Sequence, residues 1–359
     1  MSNATGQHEL EKYAALWEEA QGVQGISLGQ DAWRRLKRNR GAVISLIGLV
    51  SIALLALLTP MLPLQPPQRV DTERIFAPPT FAAAPAVEAE KVDAHFGIKG
   101  GINLLMVKIR LAVFGEWSVP SICGTDELGR DTLARIFWGA RVSLAVGIVA
   151  TLVSLVIGVS YGAVAGYFGG RVDNVMMRIV DMLYSVPFIC VVIMLVSILN
   201  DKAVKAVLEE YGINQIAIFF IIVGAIYWLT MSRVVRGQVI SLKNEQYIEA
   251  ARTIGASRLR IIFRHLVPNV LSVVIVYLTL TIPSVMLFEA FLSFLGLGVK
   301  APEVSWGLLV NQGFSVITPI KVYWWLVLFP GLALAMTLYA LNFLGDGLRD
   351  ALDPRLKNK

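Results

Sequence analysis

The chain has 359 residues, of which 56% are hydrophobic and only 16% are charged, with a formal net charge of +6. An average soluble domain carries roughly 25% charged residues, so this composition favours lipid as the solvent. The basic residues stand at the ends of apolar runs and do not gather on one face, which argues against nucleic acid as a partner. Cys123 and Cys190 lie in different environments, so neither a disulfide framework nor a CxxC metal or redox site is expected.

The N-terminal residues 1–40 are predicted to form a cytoplasmic tail. They begin with an acidic stretch that lacks the apolar core of a cleavable signal peptide. They end in a dense basic cluster, directly before the first apolar run at 41–62, and cytoplasmic ends of spans are enriched in such residues. The cluster consists of Arg34, Arg35, Lys37, Arg38 and Arg40.

Residues 63–138 are rich in proline and alanine with nearly balanced charges, and we expect them to lie in the periplasm. Within them, 103–115 is apolar but too short and too charged to span, which favours an interfacial or packed helix. The sequence GTDELGRD follows, and it predicts a structural turn that contains Gly129. Asp126 and Asp131 are expected to accept hydrogen bonds there from turn backbone or from Arg130, and not to act in catalysis.

Five further apolar runs in the core segment 139–345 complete six predicted spans, because each approaches the length that crosses a bilayer. They lie at 142–167, 180–199, 213–231, 270–295 and 322–344. With the N-terminus inside, the loop at 232–269 and the tail at 346–359 are cytoplasmic, and the arginine-rich loops agree with this orientation. The predicted fold class is an all-α integral membrane protein with six transmembrane helices.

Small residues recur every fourth position in the second predicted span, which places them on one helix face and allows another helix to approach closely. This small-residue stripe consists of Ala150, Ser154, Gly158, Gly162 and Gly166. Pro283 and Pro330 are expected to kink the fifth and sixth spans. Glu289 is the main candidate for an intramembrane charge, and we expect it near the outer end of its span, partly hydrated, in a structural role.

The 232–269 loop has the pattern of two helices joined by a sharp turn. Asn244 is predicted to cap a short helix that runs through Thr253, and Gly255 is predicted to end it in a left-handed conformation. A second, amphipathic helix is expected to begin near Ser257 and to lie along the membrane surface, and Pro268 is expected to start the next span.

The first of these helices should expose Glu249 beside the small residues Ala250 and Ala251, a surface suited to a groove on a soluble partner. The spacing from Glu249-Ala250-Ala251 to Gly255, and then to Pro268, resembles the EAA loop of ABC importer permeases. The resemblance implies that this segment, which also contains Arg252 and Ile254, binds the nucleotide-binding subunit. His265 and Val267 depart from the usual pattern, although HLVPN resembles the peptide-permease branch.

Other segments resemble the C-type permease subunit of oligopeptide importers. They are GTDELGRDTLARIFWGARVSL at 124–144, GYFGGRVDNVMMRIVD at 166–181, FLSFLGLG at 291–298 and LGDGLRDALDPRL at 344–356. The resemblance implies the type I ABC importer fold in a bacterial inner membrane. It also implies a homologous B-type permease, two ATP-binding subunits that hold ATP and Mg²⁺, and a periplasmic binding protein as partners, with no cofactor on this chain.

Three alternatives bear on this interpretation. The sequence has no GxxxxGKS or GxxxxGKT phosphate loop, so hydrolysis is expected on another chain. A secondary transporter would show inverted repeats or ionisable residues near the bilayer midplane, and neither is clear. A membrane enzyme is disfavoured because His8, His95 and His265 fall in separate segments. Among substrates, oligopeptides are favoured, with dipeptides, nickel complexes or another small solute as alternatives.

Overall fold

The structure, a computed structural model, describes residues 28–87, 96, 101–199, 201–211, 215–299 and 301–352. Regular structure in these residues is helical, apart from one isolated antiparallel bridge between Thr125 and Asp131. Most of the predicted N-terminal tail, the end of the C-terminal tail, His8 and His95 lie outside the described residues. Five helices are long and apolar enough to cross a bilayer, and a bent pair counted as one span makes six.

The helices are numbered in chain order. They are α1 Leu28–Arg38, α2 Arg40–Leu58, α3 Ile102–Phe114, α4 Thr132–Phe168, α5 Gly170–Ser185, α6 Phe188–Leu199, α7 Lys202–Glu210, α8 Gln215–Leu242, α9 Gln246–Thr253, α10 Arg258–Phe294, α11 Trp306–Ser315 and α12 Trp325–Leu352.

Several spans are longer than the apolar runs that predicted them. Helix α4 begins at Thr132 and not at 142, because the Asp131 side chain accepts a hydrogen bond from the backbone N–H of Ala134 and caps the first turn. Helix α12 continues past the last predicted apolar residue to Leu352. Capping and packing therefore extend these helices into sequence that is too polar to be recognised as membrane-spanning.

The prediction of one uninterrupted span at 180–199 is wrong. Helix α5 ends at Ser185 and α6 begins at Phe188, and the two are bent by 80°. Pro187 stands at the break, and it disfavours helical geometry in the residue before it. Val186 is accordingly extended, with φ −81° and ψ 125°.

The small-residue stripe lies against α8 of the same chain. A Cβ atom added at Gly162 would lie 2.3 Å from the Ser232 carbonyl oxygen, and one added at Gly158 would lie 2.6 Å from Met231 Cβ. On α8, a Cβ at Gly224 would lie 2.6 Å from the Ala150 carbonyl oxygen. The helices therefore approach closely enough for side chains of one to contact the backbone of the other.

One expectation about the fifth span changes. Glu289 is 1% exposed, so it is not partly hydrated, and its carboxylate accepts a hydrogen bond of 2.7 Å from the Ser293 hydroxyl. Pro283 and Pro330 both stand inside helices, α10 and α12, and the expected kinks at these residues stay a prediction.

The ends of the chain meet at one side of the helical bundle. Leu36 of α1, Ala42 of α2 and Ala351 of α12 form one buried cluster. A Cβ at Gly347 would lie 2.3 Å from Ala42 Cβ, so the start of the first span and the end of the last are in close contact. Both termini of the described chain are therefore on the same side.

Gly162→Ala should destabilise the protein by about 1–3 kcal/mol, because the added methyl group overpacks the α4–α8 contact. Gly237→Ala is the matched control, since a Cβ there meets nothing within 4 Å. Thermal unfolding of both variants in the same detergent provides the comparison. Equal midpoints for Gly162→Ala and Gly237→Ala would contradict the close contact.

Candidate coupling site

The short helix α9 is capped differently from the prediction. Its N-cap is Glu245 and not Asn244, and the Glu245 side chain makes no capping hydrogen bond. The Glu245 carbonyl oxygen instead accepts hydrogen bonds from the N–H groups of Ile248 at 2.9 Å and Glu249 at 3.2 Å. The helix therefore relies on backbone bonds and packing for its start.

The turn after α9 is a Schellman motif. Gly255 has φ +85°, the left-handed conformation that glycine adopts at little cost. The Ala256 N–H donates to the Ala251 carbonyl oxygen at 3.0 Å, and the Gly255 N–H donates to the Arg252 carbonyl oxygen at 2.9 Å. The turn is thus held by two backbone hydrogen bonds and depends on a positive φ.

Helix α9 has one packed face and one open face. Ile248 and Ala251 are buried in a core cluster with residues of α4, α8 and α10. Ala251 is therefore unavailable to a partner, which corrects the expectation that it belongs to the docking surface. The exposed residues of α9 and the following turn include Glu249, Ala250, Arg252 and Ile254, of which Ile254 is 86% exposed. We call these four residues the docking face.

The predicted second helix after the turn is not a separate helix but the first part of α10. Ser257 caps α10 by accepting from the Arg260 N–H at 3.4 Å, and the helix then continues without a break to Phe294. Residues Ile261–Leu266 form a wider π-helical turn directly before Pro268, whose ring and missing N–H disfavour a regular α-helical turn. Pro268 therefore does not start the span.

Two arginines, one in α9 and one at the start of α10, contact aromatic rings at the end of α4. The Arg252 guanidinium lies 5.6 Å from the ring centre of Tyr167, and the Arg258 guanidinium lies 5.8 Å from the ring centre of Phe168. Such cation–π contacts contribute about 0.5–1 kcal/mol each at exposed sites. The sequence analysis missed them, because residues distant in sequence come together only in the folded chain.

The buried cluster behind α9 makes the region one packed unit. It contains Val159 of α4, Val235 of α8 and Ile261 of α10, besides Ile248 of α9. Packed interiors resist small displacements, so a force applied to the docking face reaches three spans through direct contacts. The geometry suits mechanical transmission, and the described side chains on this face carry no constellation typical of catalysis.

The turn at 126–131 is organised around the Asp126 carboxylate. Its Oδ1 accepts from the backbone N–H groups of Leu128 and Arg130, both at 2.9 Å. Its Oδ2 accepts from Arg130 Nε at 2.8 Å and also from Arg135 Nη1. Arg135 is almost fully buried, and its Nη2 donates to Gln312 Oε1 on α11 at 2.9 Å. The turn, α4 and α11 are thereby joined, through an arginine that sequence reasoning did not single out.

Asp131 and Gly129 belong to the same turn, and both are closely surrounded by other residues. Burial raises the pKa of Asp131 to about 6, since the charged form loses hydration. Gly129 has φ +71°, and a Cβ atom there would lie 1.8 Å from the Asp71 carbonyl oxygen. Only glycine fits this position, where the turn crosses an earlier part of the 63–138 segment.

The long apolar helices and their backbone-close packing define a multi-pass integral membrane protein. Residues 158–358 match the family described as "Binding-protein-dependent transport system inner membrane component". Residues 27–79 match the family described as "N-terminal TM domain of oligopeptide transport permease C". The chain belongs to the first of these families, the permease subunits of ABC importers.

Curated relatives agree with this family. The oligopeptide transport system permease protein OppC of Haemophilus influenzae is 41% identical over 346 residues, covering 96% of this chain and 94% of the relative. OppC of Salmonella typhimurium is 42% identical, covering 93% of each chain. The dipeptide transport system permease protein DppC of Bacillus subtilis is 46% identical, covering 65% of this chain and 68% of the relative.

Among solved structures, a chain of the MetNI methionine ABC transporter in inward facing conformations is similar. It has a TM-score of 0.45 and 18% identity, covering 61% of this chain and 96% of that chain. Members of the family are multi-pass permease subunits of inner-membrane importers. They are membrane components and not the catalytic part, and they assemble in general with another permease, ATPases and a binding protein.

Asp126→Ala should cost about 3–5 kcal/mol of stability, because it leaves the Arg135 guanidinium buried without its counter-ion. Asp181→Ala is the matched control. Asp181 also pairs with an arginine, Arg233, at 2.7 Å, but both side chains are largely exposed, so its loss should cost only about 0–1 kcal/mol. Thermal unfolding in detergent measures the difference. Similar losses in the two variants would refute an organising role for Asp126.

Proposed function

We propose that this chain forms half of the translocation pathway of an importer that takes up oligopeptides and is powered by ATP hydrolysed on partner chains. Relatives named as oligopeptide transport permeases, which align over more than nine-tenths of the chain, support this substrate class. In the proposal a homologous B-type permease forms the other half, and a periplasmic binding protein delivers the peptide. Two ATP-binding subunits hold ATP and Mg²⁺, and this chain binds no cofactor.

The observation that carries the mechanism is the direct path from the docking face into a span. Glu249 offers a directional carboxylate contact to an ATPase subunit, and Ala250 permits close approach. The Schellman turn at Gly255 connects α9 to α10, which continues as one helix to Phe294. Closure of the ATPase subunits would therefore move α10 without an intervening flexible connector, and Ile248 would pass the same motion to α4 and α8.

The orientation of the chain across the membrane is part of the same proposal. Both termini and the 232–269 loop face the cytoplasm, and residues 63–138 face the periplasm. The contact between Ala42 and Gly347 supports a common side for the two termini. The basic cluster before α2 and the arginines around α9 support the cytoplasm as that side.

Single cysteines test the orientation in a Cys123→Ser, Cys190→Ser background. Phe81→Cys, at a position that is 88% exposed, should react with a membrane-impermeant thiol reagent added to the periplasmic side of intact cells. Glu245→Cys, also exposed, should react only after the membrane is opened. The reverse labelling pattern would overturn the orientation.

Glu249→Lys and Gly255→Val should both abolish uptake, but in different ways. Glu249→Lys reverses the charge of the docking contact, so the ATPase subunits should no longer co-purify. Gly255→Val opposes the positive φ of the turn, so ATPase binding should persist in part while transport fails. Co-purification and uptake of labelled oligopeptides are measured for each variant.

Two controls accompany these variants. Asp350→Lys reverses an exposed charge at the end of α12, away from the docking face, and should leave both readouts unchanged. Gly255→Asn should recover part of the transport, because asparagine tolerates the left-handed conformation better than valine. Wild-type binding and uptake in both Glu249→Lys and Gly255→Val would show that the loop is not the coupling element.

Dipeptides are the second candidate substrate, and the relative named as a dipeptide transport permease supports it. Competition by unlabelled peptides of increasing length separates the candidates. If the substrates are oligopeptides, peptides longer than dipeptides should compete with the labelled peptide. Competition by dipeptides alone would instead identify the chain as part of a dipeptide importer.

A further inference from the structure

Helix α3, in the 63–138 segment, is apolar on two opposite faces, and the chain covers only one of them. Val107 and Arg110 on the packed face are fully buried, and Val107 belongs to a cluster that also holds Trp138 of α4. The opposite face is exposed although it consists of large apolar side chains. Its members, here called the open face, are Ile102, Leu105, Ile109 and Val113, of which Val113 is 67% exposed.

The orientation of α3 about its own axis is fixed by polar contacts on its packed side. The Arg110 guanidinium donates to the carbonyl oxygens of Trp117 at 2.9 Å and Leu64 at 3.4 Å. Burial lowers the pKa of Arg110. Its Nη1 and Nη2 donate to backbone carbonyl groups, whereas the buried Nε has no partner among the described residues. Asn103 accepts from Arg141 Nη2 on α4 at 2.8 Å. The helix therefore has no freedom to turn its open face inward while these contacts hold.

The position of α3 along the first span places it near the outer edge of the bilayer. Helix α2 has 19 residues, which at 1.5 Å per residue gives about 28 Å, close to the thickness of a hydrocarbon core. The short 3₁₀ turn Thr59–Met61 that follows would then lie at the interface, and α3 packs against this turn. The exposed Trp117 directly follows α3, and tryptophan is enriched at this depth.

We propose that the open face of α3 is inserted into the outer leaflet of the membrane, with the helix in the interfacial plane. Helix α2, which leads into the turn that α3 packs against, also has exposed apolar side chains, among them Leu54 and Leu57. Lys108, exposed on α3 beside the open face, has the long side chain that reaches headgroups from such a helix.

Lipid fits the open face better than a protein partner does. Protein interfaces surround an apolar centre with polar groups and contain hydrogen bonds, whereas the four side chains of the open face offer none. An interfacial helix has this composition, with apolar side chains toward the acyl boundary and its covered side toward the protein. The inference rests on the membrane orientation proposed above, but not on the substrate or on the coupling mechanism.

Depth-dependent fluorescence quenching tests the proposal. The environment-sensitive probe NBD is attached at Leu105→Cys or Ile109→Cys in the Cys123→Ser, Cys190→Ser background, and the assembled transporter is reconstituted in phosphatidylcholine vesicles. Phe81→Cys serves as the control exposed to water, and Val50→Cys, exposed on α2, serves as the control facing lipid.

Lipids with a nitroxide near the headgroup should quench the probes at 105 and 109 several-fold more than the probe at 81. A nitroxide placed deep in the acyl chain should quench these two probes less than the probe at 50. Quenching at 105 and 109 equal to that at 81, together with free access of aqueous iodide, would overturn the proposal. Protection from both iodide and nitroxide lipids would also overturn it, since a protein partner would then cover the face.

Discussion

The close approach of α4 and α8 is the contact on which the remainder of the described structure depends. At Gly158 and Gly162 the two helices meet with no room for a side chain between them. Lipid tails are as apolar as the helices, so van der Waals contact at this distance is what holds such helices together. The pair then offers a firm surface for the shorter elements that pack on it.

The coupling loop is the clearest example of this dependence. Helix α9 has only 8 residues, too few to be stable in water by itself. It persists because Ile248 and Ala251 complete the core formed by α4, α8 and α10. Because Ile248 and Ala251 are buried, α9 has one face packed in the core and one exposed face that can contact a partner. Stability and the proposed coupling thus arise from one set of contacts.

Two buried arginines hold together the segments around α3 and the turn at 126–131. Arg135 joins the turn at 126–131 to α11 through Asp126 and Gln312, and Arg110 attaches α3 to the backbone around Leu64 and Trp117. A guanidinium has five donors in a fixed plane, so one buried side chain satisfies groups from several loops. Segments without regular structure are positioned here by hydrogen bonds more than by apolar packing.

The sequence by itself determined the features that follow from local rules. Runs of apolar residues identified five of the spans, the four-residue spacing identified the stripe face, and Gly255 identified a turn with positive φ, because each depends on residues close in the chain. The tertiary structure decided the rest. It buried Ala251 and Glu289, carried α10 unbroken through Pro268, and supplied Arg135 with partners on a distant helix. These outcomes depend on which surfaces meet after folding, and no local pattern encodes the neighbour that a side chain acquires across the bundle.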